Sequence, residues 1–152
     1  MVKMKPKNLM ISVFLGTLVI GLLLTSACSQ IETSTAMPES LIQIMEDITP
    51  EEAYILKQEN KDNTNFVILD VRTSEEFSDE YIENAINLDY YSNTFKNDLD
   101  RLDKNKTFLI YCRSGRRSEN ALNMMKDFDF KEVYNVLGGI TKWISEGLPS
   151  TK

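Results

Sequence analysis

The stretch Thr107-Phe108-Leu109-Ile110-Tyr111-Cys112-Arg113-Ser114-Gly115-Arg116-Arg117-Ser118 decides how this chain folds. It opens with an apolar, β-branched and aromatic run from Thr107 to Tyr111, the pattern of a buried parallel strand. Beyond it, Glu119 to Lys126 puts Ala121, Leu122 and Met125 on one helical face. Cys112 therefore ends a strand, and a short loop with one glycine leads into a helix. Successive backbone N–H groups in such a loop can turn inward as an anion-binding nest, with the helix N-terminus behind it. Arg113, Arg116 and Arg117 add positive potential. A cysteine held there is expected to have a depressed pKa, because neighbouring dipoles and charges favour the thiolate. A lone cysteine more often packs as a small buried hydrophobe. Apolar filler, however, is not ringed by guanidinium groups that cost free energy to desolvate.

Outward from this stretch the chain alternates strand and helix patterns. Leu41 to Ile48 reads as a short strand or an amphipathic turn. Thr49-Pro50-Glu51-Glu52 is a helix start, with a hydroxyl N-cap, proline at the first helical position and glutamate three residues on. That helix is expected to run to about Gln58, with a polar loop over 60–65. Phe66 to Arg72 is a second buried strand ending in charge, and Thr73-Ser74-Glu75-Glu76-Phe77 opens a short helix. Ala85 to Leu88 is a short strand. Phe95, Leu99 and Leu102 share a face of a helix expected over 92–102. Phe130 to Leu137 is a last strand, and Trp143 beyond it reads as a packing residue. Such alternation implies an α/β fold with a parallel sheet, whose ligand crevice lies at the carboxyl ends of the strands, where Cys112 sits.

Cys-Arg-Ser-Gly-x-Arg-Ser over 112–118 resembles the active-site loop of rhodanese-like sulfurtransferases. Asp70-Val71-Arg72 followed by Glu75-Glu76-Phe77 is similar to a second signature of that family. Gly138-Gly139 before a helix bearing Trp143, then Gly147-Leu148-Pro149, is similar to its C-terminal segment. Over 80–88 the chain departs from the family pattern: Glu80, Tyr81 and Asn84 stand where two glycines and a histidine are usual. The resemblance implies a rhodanese-like open parallel sheet with helices on both faces, spanning about residues 41–149. It also implies that Cys112 is the nucleophile and carries a persulfide. Arg113, Ser114, Gly115, Arg116, Arg117 and Ser118 would bind substrate, Arg113 and Arg117 foremost among the anion-binding side chains. Asp70 and Arg72 would brace the loop. The implied donor is a small anion such as thiosulfate, the acceptor a thiol or a protein, with no metal or organic cofactor. Two alternatives stand beside this: a non-catalytic or sulfur-relay module, and a phosphatase or arsenate reductase using Cys-x5-Arg. Here the arginine falls at Cys-x4-Arg (Arg117), and the shorter loop favours sulfur over a tetrahedral oxyanion.

Composition narrows the remaining classes. The 152 residues, 42% hydrophobic, suffice for one domain with a core and short appendages. A formal net charge of −6 argues against nucleic acid as a partner. The chain has no histidine, which excludes Ser-His, Cys-His and His-metal arrangements. Its two cysteines, Cys28 and Cys112, are too few for a thiolate zinc site. At the N-terminus Lys3, Lys5 and Lys7 precede an apolar run from Leu9 to Leu24, then Thr25-Ser26-Ala27-Cys28. That order is expected of a secretory signal over 1–27. Ala27-Cys28 resembles a bacterial lipobox, which implies lipidation of Cys28 and a membrane-anchored, extracytoplasmic protein. An uncleaved anchor is the alternative, although the apolar run falls short of the roughly 20 residues that span a bilayer. Residues 28–40, small and polar, read as a flexible tether.

Overall fold

The computed structural model describes residues 42–152. The expected signal segment, Cys28, the tether and Leu41 lie outside the described residues. Elements follow in the order β1 (Ile44–Ile48), α1 (Pro50–Glu59), β2 (Phe66–Asp70), α2 (Ser74–Asp79), β3 (Ala85–Asn87), α3 (Phe95–Asp100), β4 (Thr107–Tyr111), α4 (Arg116–Asp127), β5 (Glu132–Val136) and α5 (Gly139–Ser145). The strands form one parallel sheet in the order β1-β5-β4-β2-β3. The fold is thus an open α/β sheet, and β4 is its middle strand. Parallel strands need crossovers, and the helices supplying them cover both faces.

Alternation along β4 divides the core in two. Phe108, Ile110 and Cys112 pack with Leu99 of α3 and Ala121 and Met125 of α4. Leu109 and Tyr111 face the other way, against Ala53 of α1 and Ile140 and Trp143 of α5. Burying side chains of this size stabilises by roughly 1.5–3 kcal/mol each before entropy is counted. Trp143 is a core residue, its indole N–H donating to the Pro149 carbonyl at 3.0 Å.

Local chemistry sets the element boundaries. Thr49 and Thr73 each close a capping box with the glutamate three residues on, Glu52 and Glu76. Where a short strand or turn was expected, Ile44–Ile48 is a strand, paired in register with β5. Asn84 takes φ +68°, the conformation its turn requires. The helix expected over 92–102 is shorter, Phe95–Asp100. Ser92 and Thr94 bond each other through their hydroxyls, and the Ser92 carbonyl accepts the Phe95 N–H in a turn. Such local bonds compete with helix, so the apolar spacing outruns the element.

Candidate active site

β4 delivers Cys112 at the carboxyl edge of the sheet, and the loop 112–115 turns directly into α4. Gly115 makes that turn at φ +100°, ψ −31°, a conformation side-chain-bearing residues rarely adopt. Its N–H donates to the Cys112 sulfur at 3.1 Å. Cys112 is 1% exposed and forms the floor of the loop. Burial pushes the thiol pKa up, but the Ser118 amide and hydroxyl and the amides of Ser114 and Gly115 outweigh it. The net shift is below the ordinary thiol value. Depression was expected from guanidiniums and dipoles together; the largest stabilising contributions are the amides and one hydroxyl. Ser118, fully buried, turns its hydroxyl to the Gly115 carbonyl at 2.9 Å. That hydroxyl has one proton, so it serves either this carbonyl or the sulfur at any moment.

The loop amides point inward because the loop carbonyls are claimed elsewhere. The Cys112 carbonyl accepts the Ile140 N–H at 2.9 Å, and the Arg113 carbonyl accepts the Thr141 N–H at 3.1 Å. Both donors come from the first turn of α5, where N–H groups lack partners within the helix. Gly139, at φ +57°, makes this close approach possible. A Cβ there would overlap the Cys112 carbonyl oxygen and lie 2.8 Å from the Arg113 carbonyl carbon.

Against the loop lies a cavity of about 410 Å³, walled by Thr73, Glu76, Tyr91, Arg113, Ser114, Arg116 and Arg117. Arg117, expected to hold an anion, is already engaged. Its Nη1 and Nη2 donate to the two Glu76 carboxylate oxygens at 2.7 and 2.9 Å, and its guanidinium lies 5.5 Å from the Tyr91 ring centroid. The Arg117 bond, working against burial, pulls the Glu76 carboxyl down to about 2. The same carboxylate closes the α2 capping box through the Thr73 N–H, so one residue starts a helix and latches the loop. Arg113 and Arg116 are exposed and, among the described residues, make no ion pair. They are the cavity's uncommitted positive charges.

Asp70 and Arg72 are buried and pair with each other, with Nη2 to Oδ2 at 2.6 Å and Nε to Oδ2 at 2.8 Å. Arg72 also donates to the Glu80 carbonyl at 2.6 Å, and its guanidinium sits 5.7 Å from the Tyr111 ring centroid. Their support thus reaches the end of α2 and the residue before Cys112, not the loop itself. Glu76, Tyr91 and Gly139 had no functional assignment from sequence. Thr73 to Phe77 was visible as a helix start and Gly138-Gly139 as a motif, but neither signal names the loop as its partner.

The rhodanese-like domain family model matches residues 49–146. A thiosulfate sulfurtransferase GlpE from Coxiella burnetii is 33% identical over 79 residues, 52% of this chain and 72% of that protein. A sulfurtransferase from Allochromatium vinosum is 31% identical over 94 residues, 62% of this chain and 86% of its own length. Among solved structures, a rhodanese-like domain protein from Staphylococcus aureus is 32% identical with a TM-score of 0.56, covering 69% of this chain and 97% of that one. On its loop, its sheet and these relatives, the chain belongs to the rhodanese-like domain family.

Proposed function

We propose that this protein is a sulfurtransferase that moves a sulfane sulfur from a small anionic donor such as thiosulfate to a thiophilic acceptor, through a persulfide on Cys112. One observation carries the reading: the Cys112 loop borders a cavity lined by two guanidiniums that are unpaired among the described residues, while backbone amides draw the Cys112 thiol toward the anion. The thiolate attacks the outer sulfur of thiosulfate. A bond forms from Cys112 to that sulfur, the thiosulfate S–S bond breaks, and sulfite leaves with the electron pair. The charge left on the transferred sulfur falls where the loop N–H groups point. A nucleophilic acceptor then takes the sulfur and returns the pair to Cys112, in two covalent half-reactions with ping-pong kinetics. Among the described residues Cys112 is the one free cysteine, so discharge relies on an external acceptor.

The phosphatase or arsenate reductase alternative loses support because Arg117, which would cradle a tetrahedral oxyanion, is held bidentate by Glu76. A non-catalytic module loses support because Cys112 is present, with the Gly115 N–H donating to its sulfur. Peptide mass spectrometry after thiosulfate treatment tests the reading. One added sulfur on Cys112 and free sulfite are expected; phosphate-ester hydrolysis with no persulfide would reverse the assignment. We further propose that Cys28 is lipidated and holds the domain at the extracytoplasmic membrane face, supported by the basic, apolar and small-residue order before it. Cys28→Ser should then release or misprocess the protein; unchanged fractionation and mass would contradict this.

A further inference from the structure

Two depressions flank the Cys112 loop and share Arg113 and Glu76. They differ in which charges remain uncommitted. In the cavity described above, Glu76 and Arg117 neutralise each other, which leaves Arg113 and Arg116, both positive. The second depression, about 320 Å³, lies between α2 and the start of α5. There Arg72 is committed to Asp70, Glu76 to Arg117, and the Glu80 carboxylate accepts the Ser150 hydroxyl at 2.6 Å. A hydroxyl leaves the Glu80 charge in place, and beside it Arg113 and Asp79, opposite in sign and both exposed, make no ion pair or side-chain hydrogen bond among the described residues. Buried Ile140 and the half-exposed Ile144 line the same depression. Asp79 closes α2, whose last turn carries no basic side chain, so no local cation accounts for its charge.

Resting on the sulfur-transfer reading above, we propose that this second depression receives the acceptor, and that the acceptor is a low-molecular-weight zwitterionic amino thiol. Its carboxylate pairs with Arg113, its ammonium with Asp79, and its carbon chain lies over Ile140 and Ile144. A volume near the small end of the usual range for ligand pockets suits an amino-acid-sized molecule. Sharing Arg113 is consistent with ping-pong order, because sulfite leaves before the acceptor enters. The acceptor's thiol attacks the outer sulfur of the anionic persulfide. A new S–S bond forms, the bond to the Cys112 sulfur breaks, its electron pair restores the thiolate, and the acceptor's thiol proton passes to the transferred sulfur. No oxidant or reductant is needed.

The test loads the protein with thiosulfate, removes excess donor, and measures discharge rates with L-cysteine, cysteamine and 3-mercaptopropionate. Wild type is compared with Asp79→Asn and Asp79→Lys, both altered at an exposed side chain. Ratios between acceptors cancel any change in the persulfide, and ratios between proteins cancel intrinsic thiol reactivity. The L-cysteine to 3-mercaptopropionate ratio should fall about threefold to fivefold in Asp79→Asn, the size of one exposed ion pair. It should fall further in Asp79→Lys, and the cysteamine ratio should follow. A ratio identical in all three proteins, with the persulfide loading normally, overturns this acceptor site alone. Failure to load any persulfide overturns the sulfur-transfer reading, and this inference with it.

Discussion

Two helices hold the Cys112 loop from opposite sides, and they act on it by different physics. α5 reaches it with backbone: Ile140 and Thr141 N–H groups take the Cys112 and Arg113 carbonyls, which leaves the loop amides to face the sulfur. α2 reaches it with a side chain: Glu76 takes the Arg117 guanidinium. The first contact orients dipoles and so governs the nucleophile. The second cancels a charge and so governs which ligands the cavity favours. Backbone contacts at this distance tolerate no intervening Cβ, whereas a carboxylate–guanidinium pair tolerates adjustment. The comparison teaches that reactivity and selectivity at one loop are held by separable contacts.

Substitutions that strike the two helices differently put this to work. Cys112→Ser removes the nucleophile and should abolish transfer, by whichever helix the loop is held. Gly139→Ala should come next. The new Cβ pushes the Cys112 and Arg113 carbonyls off α5, and a displacement near 1 Å costs on the order of 10²-fold in rate. The thiol pKa should rise with it. Gly147→Ala is the matched control, because Gly147 also has positive φ (+73°) but its Cβ meets nothing within 4 Å. Equal losses in the two variants would mean that backbone strain, not loop contact, is responsible.

Glu76→Gln breaks the α2 contact and should destabilise the fold by about 1–2 kcal/mol, measured by urea unfolding. Its pH signature has a definite sign. The folded-state carboxyl sits at about 2, below its ordinary 4.5, so the pair's stabilisation is complete above 4.5 and is lost as pH falls toward about 2. Wild type should therefore lose stability over that window more steeply than Glu76→Gln. Parallel curves would remove the latch from the description. The smallest effect is expected for Arg116→Ala, an exposed charge that lines the anion cavity and not the second depression. It should raise KM for thiosulfate about threefold to fivefold, less so at high salt, with kcat retained.

Much of the site was legible in the sequence, and the reason is locality. Strand, cysteine, glycine turn and helix are contiguous from Thr107 to Asp127, so period and turn chemistry reveal them together. Thr49 and Thr73 announce their helices through a partner three residues away. Glu76 lies 41 residues before Arg117, and its pairing depends on α2 leaving the carboxyl end of β2, next to β4 in the sheet. Gly139 similarly meets Cys112 because β5 flanks β4 on the other side. Strand order is not a local property, so sequence showed the arginines but not which were already neutralised. That is why Arg117 read as an anion ligand and Arg116 as the lesser one. Asp70 and Arg72 were visible as a charged strand end; that they bond each other and the Glu80 carbonyl required the folded chain.

The state of the Cys112 sulfur is the point on which sulfur chemistry rests, and its titration is the direct measurement. Alkylation rates of the Cys112 peptide, followed against pH, report its thiolate fraction. Cys112 should titrate below the ordinary thiol value in the folded protein and return to it on unfolding. A folded-state midpoint at or above that value would mean an inert buried thiol, and would contradict the amide cradle as an activating device.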